Sequence, residues 1–419
     1  MKKKYIIITT IVIIAITAFI TYSSYLKNNN VFKEKNVNEP VKVTKGISMM
    51  LEQTAGVGDY KTTTQSDWPI DGYKFNSKLS RCENGSELSW DDTRKVVTMS
   101  GNLTDKCYVY FDLILPLLQY VKLQYTGVQG ENNMYFHDGT LENGIDDNSY
   151  RYAGSSESTN NFICFGSTAN PCPTDNLYRI IGVIDDKVKL IKYDYATSAM
   201  LGTDGDYNVD LGDEYNHIDS TYKGELSIIS TYSWNYKATN SWVYAWNSSL
   251  LNKTNLNTNF INALGTTWSS KIITTTWKIG GNLTEYIEDK IPKITYQYEI
   301  VNPDDTFSVD STTTYNAKIG LVYVSDYGFA ASPEAWTLLL SDYNDTTATS
   351  NNWMYLGEAD LTITRSTYAS GRINRIQEAG YVKAIDAVSG AVRPVFNLNK
   401  SLIYESGDGT KNFPIRIES

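Results

Sequence analysis

From Tyr5 to Leu26 the chain runs 22 residues without a charged side chain, between Lys2-Lys3-Lys4 and Lys27. No other stretch constrains the chain as much. A helix of about 20 apolar residues crosses the hydrocarbon core of a membrane. Lysines ahead of such a helix favour the cytoplasmic side, which puts the rest of the chain outside the cell. A cleaved signal peptide has a shorter apolar core and a small-residue cleavage site. Thr21 and Ser23 offer only a weak site of that kind. Residues 1–27 are therefore expected to be an uncleaved, single-pass anchor in the cell membrane. Residues 28–44 are polar and charged with one Pro, and read as a stalk.

Export gives the cysteines a meaning. There are four, Cys82, Cys107, Cys164 and Cys172, and an even count outside the cell reads as disulfides. Nearest-neighbour pairing is Cys82–Cys107 with Cys164–Cys172, and the other connectivities stay open. Residues 45–112 read as a small all-β module. Leu88–Trp90 and Val96–Met99 flank the turn Asp91-Asp92-Thr93-Arg94, which signals a hairpin. Cys107–Phe111 adds a strand. A module this small needs a covalent link, and such a bridge contributes about 3 kcal/mol by restricting the unfolded chain.

Residues 113–134 change character. Pro116 suits a helix start, and Leu117, Leu118, Val121 and Tyr125 recur near helical spacing, so a connecting helix is expected. Residues 135–419 form the larger part. Leu177–Ile184, the turn Asp185-Asp186 and Lys187–Tyr193 make a strong hairpin signal. Val188, Leu190 and Lys192 share one face, and Lys187, Lys189 and Ile191 the other. Asn247–Leu264 reads as helical in two pieces, with Leu256, Phe260, Ile261 and Leu264 as its apolar stripe. Further strands are expected at Lys318–Ser325, Leu361–Thr364, Gly380–Ile385, Val392–Leu398 and Pro414–Ile417. Mostly antiparallel β-structure with few short helices and long loops places the chain in the α+β class.

Four segments together resemble a family of bacterial surface domains. They are Leu177–Val183 with Val188–Lys192, Trp246–Asn252 with Leu256–Phe260, Ile319–Asp326, and Gly390–Leu398. Ser406–Thr410 and Pro414–Ile417 resemble the tail that follows. Such domains are similar to the C-type-lectin-like fold of formylglycine-generating enzymes and of bacteriophage receptor-binding tips. The likeness spans residues 135–419, about two thirds of the chain. It implies a rigid scaffold that displays loops for binding. It does not bring the enzymes' chemistry, which uses cysteines late in the fold, because no cysteine follows Cys172.

Candidate sites are few. Tyr232, Trp234 and Tyr236, then Trp242, Tyr244 and Trp246, repeat every second residue, so each trio lines one face of a strand. Trp246 reads as core. Trp234, Tyr236 and Trp242 are the candidate ligand-binding residues, since exposed aromatic faces stack on sugars and anchor interfaces. Asp204, Asp206, Asn208 and Asp210 begin like a calcium loop, but Val209 replaces its Gly and Tyr215 its bidentate Glu. They read as a solvated acidic loop, so no metal or other cofactor is expected. His137 and His217 stand apart without a motif. Asp326 and Glu358 are the best acidic candidates, and the doublets Asp91-Asp92, Asp185-Asp186 and Asp304-Asp305 read as turns. Arg393, before Pro394, is expected to pair with a buried carboxylate.

With 37 basic and 47 acidic side chains the net charge is −10, which disfavours nucleic acid and anionic lipid as partners. Lys outnumbers Arg 28 to 9, and with abundant Ile, Asn and Tyr this suggests an AT-rich bacterial genome. The expected role is extracellular recognition or adhesion, with a glycan or a protein as partner. A hydrolase acting on wall or glycan polymers and a structural envelope protein are the alternatives.

Overall fold

The computed structural model describes residues 46–63, 72–102, 104–207, 218, 220–235, 246–279, 286–303, 314–344, 349–366, 372–386 and 389–418. The expected anchor and stalk lie outside them. Among the described residues no helix is long and apolar enough to cross a membrane. Contacts divide the chain into two units, Met1–Ile114 and Leu115–Ser419. Both are built mainly of antiparallel strands, among the described residues short helices occur only in the second, and the class is α+β.

Seven strands form the described part of the first unit: β1 (Ile47–Glu52), β2 (Tyr60–Thr63), β3 (Tyr73–Phe75), β4 (Arg81–Cys82), β5 (Glu87–Asp91), β6 (Val96–Ser100) and β7 (Cys107–Leu113). β5 and β6 are the expected hairpin, and Asp91 Oδ1 accepts the turn N–H groups of Thr93 and Arg94 at 3.1 and 2.9 Å. β1 runs parallel to β7, while β2, β3 and β4 join antiparallel. The core is small: Leu51, Val109 and Phe111, with Trp90 edge-on to Phe111 at 5.0 Å. Cys82 and Cys107 stand directly opposite each other on β4 and β7 and are bonded. Cys164 is bonded to Cys172 in the second unit, so the nearest-neighbour pairing holds.

The second unit is organised by a seven-stranded sheet. Its strands are β8 (Met134–His137), β9 (Ser149–Tyr152), β10 (Phe162–Cys164), β11 (Leu177–Ile184), β12 (Lys187–Lys192), β13 (Ile319–Gly320) and β14 (Val395–Asn397). The order is β13-β14-β12-β11-β9-β8, with β10 also paired to β11. β11 and β12 are joined by Asp185-Asp186, whose φ angles are 51° and 53°. Both residues are left-handed, as a two-residue hairpin turn requires, and Asp tolerates that conformation.

β11 and β12 are buried along nearly their whole length. One large core covers them, and it includes Ile180, Leu190, Ile191, Phe396, Trp234 and Trp277. The helix Leu117–Lys122 packs into this core through Leu117 and Val121. Leu256, Phe260 and Leu264 do the same from a π-helical turn run, Leu251–Phe260, and the α-helix after it.

One expected strand is corrected. In the run Lys318–Ser325 only Ile319–Gly320 forms a strand, Val322 adds a single parallel bridge to Thr362, and Val324–Ala330 is helical. The local sequence reads as a strand, but a carboxylate from elsewhere in the chain holds the N–H groups of that helix, as described next.

Candidate binding cleft

One row of paired residues crosses the sheet. Arg151 on β9 faces Gly182 on β11, Gly182 faces Lys189 on β12, and Lys189 faces Asn397 on β14. Paired residues project to the same side of a sheet, so the register sets two cations on one face with a bare position between them. A bulge between Ile180 and Gly182 sets this register.

Two buried cations need an anion. Asp326, on the Val324–Ala330 helix, supplies it. Its Oδ1 accepts Arg151 Nη1–H at 2.7 Å, and its Oδ2 accepts the Lys189 ammonium. Arg151 also donates Nε–H to Ser149 Oγ at 2.9 Å and pairs with Asp147 at 3.3 Å. Burial pushes the Asp326 carboxyl up, but Lys189 and Arg151 outweigh it and hold the group below the usual carboxylate range. Burial lowers Lys189, and Asp326 opposes that.

Glu299 fixes the helix that carries Asp326. Its two oxygens accept the N–H groups of Val324 and Ser325, each at 2.9 Å, and the Thr364 hydroxyl. Glu299 is fully buried, and burial pushes its carboxyl up to about 7 despite these bonds. A carboxyl raised from about 4.5 to about 7 binds its proton more tightly when folded. Its contribution is therefore complete below about pH 4.5 and is lost as pH rises to about 7, a change of roughly 3 kcal/mol. His137 works the other way. Burial lowers it to about 3, so it destabilises as pH falls below its unfolded value. The measurable quantity is the stability of the native chain minus that of Glu299→Gln, by urea unfolding between pH 4.5 and 7.5. That difference should fall as pH rises; a flat difference would show that Glu299 does not titrate there.

The row floors a cleft of about 120 Å³. Arg151, Lys187, Lys189 and Lys278 line it with two acids, Asp185 and Asp326, so its lining is cationic in a chain of net charge −10. Trp277, Tyr323, Tyr296 and Ile300 give it apolar walls. Lys189 lies over the Tyr323 ring, 4.5 Å from its centroid. Lys278 sits beside it because its backbone N–H donates to Tyr323 Oη at 2.7 Å.

The sequence-derived candidates fare unevenly. Trp234 is 1% exposed, donates Nε1–H to the Thr362 carbonyl at 3.0 Å, and packs 4.9 Å from Trp246. The expectation that it presents an exposed stacking face is corrected: Tyr232, Ser233 and Trp234 are all buried, so neither side of this segment is wet. Tyr236, Trp242, His217, Asp304-Asp305 and the Asn208–Tyr215 part of the acidic loop lie outside the described residues. Asp206 is not solvated. It is 1% exposed, and its Oδ2 accepts the N–H of Leu251 at 3.0 Å, at the start of a helix. Among the described residues, no group of three or more His, Cys, Asp or Glu is placed to hold a metal ion. Buried His137 packs on Phe329 and Trp336 and accepts the Ile145 N–H at 3.3 Å. Arg393 pairs with buried Asp360, Nε to Oδ2 at 2.6 Å. Glu358 is not part of the cleft lining, whereas Asp326 is central to it.

Sequence reasoning missed Arg151, Lys187, Lys189, Lys278 and Glu299. The one available signal was Lys187-x-Lys189 in a strand otherwise rich in Val, Leu and Ile. No family model, no curated protein and no solved structure matches the chain.

Proposed function

We propose that this chain is an exported, membrane-anchored recognition protein that captures an extracellular ligand in the Arg151–Lys189–Asp326 cleft. The N-terminal run supports the location. The order of the lectin-like segments supports a C-type-lectin-like scaffold that binds and does not catalyse. The carrying observation is the cleft itself: a concave, partly apolar site with a few convergent charged groups in place. Asp326 has both oxygens engaged by cations, which suits positioning better than proton transfer.

The test is binding of the full chain, held in detergent, to an array of host and bacterial glycans, with calcium and with chelator. Binding indifferent to chelator is expected, together with its loss in variants of the half-buried lining residue Tyr296, Tyr296→Ala, that still fold by circular dichroism. Glycan binding that survives in Tyr296→Ala would move the site elsewhere, and a silent array would favour the structural envelope role.

A further inference from the structure

The cleft has unspent positive charge. Lys189 is buried, yet its ammonium group, with three N–H donors, has one acceptor here, Asp326 Oδ2. Lys187 and Lys278 are half-buried at the same cleft, and among the described residues neither ammonium group has an ion-pair partner. Asp326 is shared between two cations, and the other acid of the lining is Asp185, so four cationic side chains face two carboxylates. A lining with that excess is complementary to an anion.

The size and the walls narrow the choice. A cleft of about 120 Å³ is small beside the roughly 300–1,000 Å³ of typical ligand pockets. That admits one terminal group and not a length of chain. Tyr296 and Ile300, the half-buried apolar residues of the lining, suit the CH face of a saturated ring. Phosphate is held by free backbone N–H groups of a helix start as well as by ammonium groups. Here the helix start beside the cleft is already occupied, because Glu299 accepts the N–H groups of Val324 and Ser325.

We infer that the cleft takes the carboxylate of an acidic sugar unit, with Lys189 at the floor and Lys187 and Lys278 closing on the carboxylate from the rim. This rests on the recognition reading above and names the ligand class for the same site.

The test is calorimetric titration of the full chain in detergent with glucuronate, galacturonate, glucose and inorganic phosphate. At least one uronate should bind, and glucose should bind at least about tenfold more weakly, the difference expected from one charge-assisted contact. Lys187→Gln and Lys278→Gln should each weaken the uronate about tenfold while leaving the urea midpoint unchanged. Uronate affinity should fall with added salt. Glucose binding as tightly as the uronates would overturn the carboxylate and leave the binding site standing. Phosphate binding more tightly than the uronates would overturn the sugar. Failure of every probe, together with a silent glycan array, would remove the recognition reading as well.

Discussion

Replacing Asp326 with Asn should destabilise the larger unit by about 3–5 kcal/mol, the usual cost of removing one partner from a buried charge pair. The reason lies in what stays behind. Arg151 and Lys189 are both buried, and their side chains are within 6% of fully enclosed. Without the carboxylate, two like charges would share one face of a sheet. Asn keeps the shape and one acceptor, so the loss isolates charge from packing. Urea unfolding followed by tryptophan fluorescence measures it, since Trp277 lines the same cleft. A loss below about 1 kcal/mol would mean that Lys189 gives up its proton instead of remaining as a bare cation.

Gly182→Ala should cost at least about 3 kcal/mol, and Gly182→Val more, toward failure to accumulate folded protein. A Cβ at this position would lie 1.9 Å from the carbonyl oxygen of Tyr150 and 3.0 Å from the Cα of Arg151. Both are backbone atoms of the neighbouring strand, so no rotamer change relieves the clash. The sheet would have to part along the β9–β11 seam. Thermal unfolding of Gly182→Ala, compared with Gly139→Ala as a control, tests this. Gly139 is outside the left-handed region, and the nearest atom to an added Cβ is a side-chain oxygen of Asp146 at 3.3 Å. If the two variants unfold alike, close approach at Gly182 is not limiting.

The parts of this architecture that were legible in the sequence are those encoded locally. The β5–β6 and β11–β12 hairpins announce themselves through Asp-led turns between β-branched runs. The disulfide pairs are the nearest-neighbour ones, which the sequence offered beside two other connectivities. Pro116 and the apolar residues after it mark a helix start. The cleft was not legible because nothing in it is local. Arg151, Lys189 and Asp326 are far apart in sequence and meet only through sheet register and one packed helix. Lys189 alternates with apolar neighbours, so it reads as a solvent-facing residue on an ordinary amphipathic strand. Only the covering layer, with Tyr323 and Trp277, reverses that reading. The helix at Val324 was missed for the same reason. Its anchoring carboxylate, Glu299, lies 25 residues earlier. Trp234 errs in the opposite direction: only Tyr232–Ser233 pair as a strand, Trp234 lies just past them, and spacing does not say whether a side chain is covered.

The position of the row in the middle of the sheet has a thermodynamic consequence. Binding loops usually lose freedom when a ligand arrives, and that loss subtracts from affinity. Here the floor is already immobile, because Arg151, Lys189 and Asp326 are held by folding itself. A ligand would have to still only the longer side chains at the rim, Lys187 and Lys278, at about 0.5–1.5 kcal/mol each. Entropy is thus spent once, during folding, and a weak, single-group ligand can still be retained.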